Sequence, residues 1–161
     1  MKVDYLFSRR NKWGSRLIAW GSSKQNISLE KVPSHMAVLL DESIVVESTL
    51  STGVRIIPYS QWKLINEELY KIRCIKKRQS KPTLNQAFSL WGKGYDWYGI
   101  AFFAWEIIKY LITGEKLSKT NKWQKENRYF CTEYAAILTG EDFSMKTPAQ
   151  ICDMWLKESI K

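Results

Sequence analysis

Three short apolar runs lie close together between residues 35 and 58: His35 to Leu40 (HMAVLL), Ile44 to Ser48 (IVVES) and Val54 to Pro58. Their β-branched content and the polar links between them are the pattern of short strands joined by turns. Asp41-Glu42-Ser43 suits a hairpin loop, Gly53 precedes the third run and Pro58 marks its end. The segment therefore predicts an antiparallel meander. With a three-residue loop at 41–43, residue 44 pairs with 40 and residue 47 with 37, so side chains 35, 37 and 47 share one face. A two-residue loop would turn Glu47 to the other side.

Helical signals surround this sheet. Residues 5–20, LFSRRNKWGSRLIAWG within them, read as a short helix with Leu17, Ile18 and Trp20 facing inward, followed by a loop from Gly21 to Gln25. Ser60 to Lys77 starts with helical spacing at Trp62, Ile65 and Leu69, while its tail KIRCIKKR fits a strand as well. Residues 82–91 predict a short helix closed by Gly92 and Gly94. A long apolar helix spans about Trp97 to Thr113, with Gly114 placed to end it. After a polar loop at 115–127, FCTEYAAILTG predicts another helix stopped by Gly140. The last helix begins with Thr147 as N-cap, Pro148 at N1 and Gln150 at N3, a capping box. Strands early and helices late predict the α+β class.

A chain of 161 residues is long enough for one domain with its own core. Hydrophobic residues at 45% and charged residues at 25% exclude a disordered or collagen-like chain. Eight Trp, eight Tyr and six Phe are many, and the net charge is +9. That field favours anionic partners without choosing among them. The N-terminus lacks the apolar core of a signal peptide, and no stretch reaches the roughly 18 uncharged apolar residues of a spanning helix. The nearest, Tyr98 to Ile112, carries Glu106 and Lys109 and reads as a buried or interface-lying helix. Cys74, Cys131 and Cys152 form no regular framework, so reduced thiols and a cytoplasmic location are the expectation.

His35 is the single histidine, the side chain that titrates near neutrality without help. Glu47 lies diagonal to it across the expected hairpin, next to Val45 and Val46, and a half-buried carboxylate there needs a partner. Cys131 heads a helix, where the positive end of the dipole favours a thiolate. A nucleophile, a base and an orienting acid are thus available. Each also has a plain structural reading: an edge histidine, an exposed strand carboxylate, a small buried hydrophobe. Cys74, in its basic surroundings, lacks an identifiable base, and Cys152, near Ile151 and Trp155 on an amphipathic helix, reads as core. One histidine and three scattered cysteines do not make a metal site, GKG at 92–94 is too short for a phosphate loop, and no cofactor is expected. Basic and aromatic residues alternate in SRRNKWGSR, yet no nucleic-acid module is present, so nucleic acid is not the expected partner.

The segments PSHMAVLLDESIVVESTLSTGVRIIPY, GKGYDWYGI, YFCTEYAAILTG and TPAQI, in that order, resemble the circularly permuted branch of the NlpC/P60 (papain-like) cysteine hydrolases of bacteria and phages. In that branch the strand bearing His precedes the helix bearing Cys. The resemblance covers roughly residues 5–155 and implies one permuted papain-like domain over 1–161. It also implies Cys131 as nucleophile, His35 as base and Glu47 as third member, with Ser34, Tyr95, Asp96 and Tyr129 as candidates for substrate or oxyanion contacts. The expected activity is that of a cysteine peptidase or amidase acting on an amide bond, as in cell-wall peptides. Lipid-directed acyl transfer or thioester hydrolysis by the same triad is the alternative within enzymes. A non-enzymatic basic binding protein is the alternative outside them. The expected partners are a peptide or acyl substrate and an anionic membrane surface or cell-wall polymer. The charge and the apolar 97–113 helix bear on the substrate rather than on the triad.

Overall fold

A computed structural model describes residues 2–10, 13–23, 28–74, 84–115, 127–143 and 146–159. The molecule is α+β. Five antiparallel strands form one sheet: β1 (Val3–Arg9), β2 (His35–Leu40), β3 (Ile44–Thr49), β4 (Gly53–Pro58) and β5 (Glu67–Arg73). Their spatial order is β4-β3-β2-β1-β5, so the meander is extended by the N-terminal strand and closed by β5. Among the described residues six helices accompany it: α1 (Trp13–Ser23), α2 (Tyr59–Ile65), α3 (Leu84–Ser89), α4 (Trp97–Thr113), α5 (Cys131–Thr139) and α6 (Pro148–Ser159).

The sheet is covered on both sides. On one face Tyr5, Phe7, Met36, Val38 and Val46 pack against Tyr134 and Leu138 of α5 and Ile151 and Trp155 of α6. On the other, Leu6, Ala37, Leu39 and Val45 pack under Trp62 of α2. Burial of this apolar surface is the main force holding helices to sheet.

The three expected strands of the meander are present, and the hairpin loop is Asp41-Glu42-Ser43, with Leu40 opposite Ile44 and Val38 opposite Val46. Asp41 and Glu42 both adopt positive φ, and Ser43 N–H closes the turn on the Leu40 carbonyl at 3.1 Å. Gly53, at φ +65°, opens β4 where the backbone of Lys93 comes so close that any Cβ would collide with its carbonyl oxygen. Val54 N–H donates to that oxygen at 2.9 Å, and Gly92 N–H donates to the Val54 carbonyl at 3.1 Å. These bonds tie the turn before Gly94 to the sheet. Gly114 and Gly140 end α4 and α5 in the left-handed conformation. At the start of α6, Thr147 Oγ1 accepts from Gln150 N–H at 3.1 Å and Gln150 Oε1 accepts from Thr147 N–H at 2.9 Å.

The N-terminal segment departs from the sequence expectation. Residues 5–20 are not one helix: β1 occupies Val3–Arg9 in the interior of the sheet, and α1 starts only at Trp13. Val3 to Ser8 are all buried, because both faces of this strand are covered, so no alternation of apolar and polar residues marks it. Trp20 faces outward, 55% exposed, while Ala19, Gly21 and Ser22 are the buried positions nearby. Gly21 to Ser23 belong to α1 rather than to a loop; residues 24 and 25 lie outside the described residues, as does the 75–78 end of KIRCIKKR. The two readings of 60–77 both apply in part, since α2 gives way at Asn66 to β5.

Candidate active site

Glu47 is fully buried in β3, yet both of its carboxylate oxygens are hydrogen-bonded. Oε2 lies 2.6 Å from His35 Nε2 and accepts from Trp62 Nε1 at 3.0 Å. Oε1 accepts from Arg55 Nε at 2.8 Å and also from Arg55 Nη2. Arg10 Nη2 stands 3.7 Å from the same oxygen. Each donor has a structural address. Arg55 is opposite Glu47 in the β3–β4 ladder, Trp62 projects from α2 onto this face, and Arg10 follows the end of β1. Burial alone would raise the Glu47 pKa. The hydrogen bond and charge of His35, with the charge and hydrogen bonds of Arg55, overcome it and hold the group at about 2.

His35 opens β2, and its side chain is 13% exposed. Burial disfavours the imidazolium. A side-chain hydrogen bond with Cys131, then the hydrogen bond and charge of Glu47, reverse that effect and raise the pKa to about 9. Nε2 is committed to Glu47, which leaves Nδ1 as the ring nitrogen open to a second partner. Sulfur, imidazole and carboxylate therefore come from α5, β2 and β3 into one connected cluster.

Cys131 is the first residue of α5 and is 6% exposed. The chain leading into it is tied down on two sides. Tyr129 N–H donates to the Gly94 carbonyl at 3.1 Å, and the Tyr129 carbonyl accepts from Ser48 Oγ at 2.5 Å. Ser48 follows Glu47 directly, so the strand that holds the carboxylate also holds the approach to the thiol. Phe130 N–H is taken by the Glu133 carboxylate at 3.2 Å, whereas the N–H of Cys131 belongs to the first helical turn, which has no acceptor within the helix. Burial pushes the Glu133 carboxyl up to about 8, against the Phe130 hydrogen bond and with the charge of Asp96.

The remaining sequence candidates separate into neighbours and scaffolding. Gly94 bridges to Arg128, which runs Tyr95 and Asp96 alongside Tyr129 and Phe130. Tyr95 is buried, and burial followed by the charges of Cys131, Glu133 and Asp96 lifts its phenol well above the usual range. Asp96 is fully buried and serves as N-cap of α4, accepting from Gly99 N–H at 3.0 Å. Ser34 is buried beside His35, its N–H donating to the Ser8 carbonyl at 3.0 Å, and its hydroxyl has no hydrogen-bond partner among the described residues. Tyr129 contributes its backbone, as above. Cys152 is buried in the core, and burial, with the charge of Asp153, pushes its thiol up to about 12. Cys74 Sγ donates to Tyr5 Oη at 3.5 Å, on the helix-packed face.

Sequence reasoning missed Arg55, Trp62 and Arg10 as partners of Glu47. A signal existed for the first: an arginine inside the apolar run VRIIP, on the strand next to an apolar run holding a glutamate. Trp62 was legible as a core position but not as an N–H donor. Among the described residues no group of three His, Cys, Asp or Glu side chains could hold a metal ion, and no helix is long and apolar enough to cross a membrane. No family model, curated protein or solved structure matches the chain.

Proposed function

We propose that this chain is a cysteine hydrolase of permuted papain-like architecture that opens an amide bond through Cys131, His35 and Glu47. The observation that carries the reading is the single histidine held between a buried carboxylate and a thiol at a helix start. In the first step His35 already carries the proton as an imidazolium, and the Cys131 sulfur attacks the substrate carbonyl carbon. The Cys131 N–H, unclaimed within its helix, faces the oxygen that gains charge. Collapse breaks the C–N bond, the imidazolium gives its proton to the departing amine, and a thioester remains. Water, losing a proton to His35, then releases the acid and frees the sulfur. Glu47 keeps Nε2 occupied throughout and so fixes the working nitrogen.

The substrate class follows the family resemblance: a peptide amide, such as one in a cell-wall stem peptide. A second reading, transfer or hydrolysis of a lipid acyl group by the same thiol, is favoured by the apolar outer face of α4. Turnover of peptidyl aminocoumarin amides and p-nitrophenyl acyl esters, with intact-mass detection of an acyl adduct, tests the chemistry. Turnover and an adduct lost in Cys131→Ala are expected. Equal turnover in that variant would refute the assignment.

A further inference from the structure

Helix α4 carries an exposed apolar face. Successive residues advance about 100° around a helix, so Trp97, Tyr98, Trp105, Ile108 and Ile112 fall on one side, together with Ala101 and Ala104. Every one of these is exposed, Trp97 and Trp105 to 55% and Ile112 to 78%. The buried side holds Gly99, Phe102 and Glu106. Of the two charged residues of the helix, Glu106 is buried, and Lys109, at the edge of the apolar stripe, pairs with Glu115 at 2.5 Å. A helix packed on a soluble core normally has the reverse arrangement, and a continuous exposed apolar patch marks a contact surface.

We infer that α4 seats this chain on an anionic bilayer surface through Trp97, Trp105, Ile108 and Ile112. Tryptophan and tyrosine are the side chains that settle at a membrane–water interface. The helix lies in that plane rather than across it, since none of the described helices is long and apolar enough to span. Charge selects the occupant. A second copy would bring +9 against +9, whereas an anionic leaflet offers the opposite sign. The seated face also starts beside the thiol, because Asp96 caps α4 and Tyr95 stands within electrostatic reach of Cys131. Docking holds whether the thiol acts on amides or on esters.

The test is co-sedimentation of the full chain with vesicles of phosphatidylcholine alone and of phosphatidylcholine with phosphatidylglycerol, at about 0.1 M salt. The wild type should pellet with the anionic vesicles. Trp105→Glu/Ile108→Glu should lower its partitioning by about tenfold or more while leaving Cys131 alkylation unchanged. Ile112→Glu, a single change at the helix's outer end, supplies a second variant should the first fail to fold. The inference is overturned if the wild type stays in the supernatant or if folded variants pellet as well as it does. It is equally overturned if the lipid-free chain is a dimer that these substitutions dissociate, because the face then belongs to a second copy. Loss of Cys131 reactivity without loss of pelleting would count against the hydrolase alone.

Discussion

Arg55 stands directly opposite Glu47 in the β3–β4 ladder and donates to Oε1 through both Nε, at 2.8 Å, and Nη2. The pair explains how a glutamate survives at zero exposure in the middle of a sheet. One oxygen is neutralised by the guanidinium, leaving the other for Trp62 and His35. Removing one partner of such a pair strands a buried charge. Arg55→Met should therefore destabilise the fold by about 3 kcal/mol in urea unfolding, with Arg55→Lys losing less. A midpoint unchanged in Arg55→Met would show that Glu47 is satisfied without the guanidinium.

The pH dependence follows from the same cluster. His35, raised to about 9, is the imidazolium that must protonate a leaving amine, so kcat/KM should fall on the alkaline side with a limb near that value. In Glu47→Gln the ring loses its anion, and the limb should move down toward the ordinary histidine value. A limb that stays in place in Glu47→Gln would detach the carboxylate from the base. Stability carries matching signs. The Glu47 contribution is complete above the ordinary carboxylate value and is lost as pH falls toward about 2. The His35 contribution is complete below the ordinary histidine value and is lost as pH rises through about 9.

Ser48 acts on the thiol at one remove. Its hydroxyl fastens the Tyr129 carbonyl, two residues before Cys131, to the strand of Glu47. Ser48→Ala should cost about 1 kcal/mol of stability and lower kcat more than it raises KM, because the sulfur loses its fixed approach while substrate contacts persist. Ser48→Thr should restore most of the rate. An Ala variant with full kcat and reduced stability would reduce the residue to a structural peg.

The hairpin was legible because a polar triplet between two β-branched runs fixes the register, and the register alone brings Glu47 to the face of His35. The caps of α4, α5 and α6 were legible for a similar reason: Gly114, Gly140 and Thr147-Pro148 act locally. β1 was not, since a strand buried on both faces shows no period, and the basic residues after it blurred the boundary with α1. The environment of Glu47 was hidden too. It depends on Arg55, Trp62 and Arg10 converging from three elements, and such convergence leaves no mark on local spacing.

Alkylation by iodoacetamide at about pH 6, followed residue by residue by mass spectrometry, tests the coupling of thiol and ring most directly. Cys74 and Cys152 serve as references within the same molecule. The account expects Cys131 to label far faster than either, and to lose that advantage in His35→Ala. Labelling of Cys131 no faster than Cys74, or a rate indifferent to the loss of the imidazole, would contradict it.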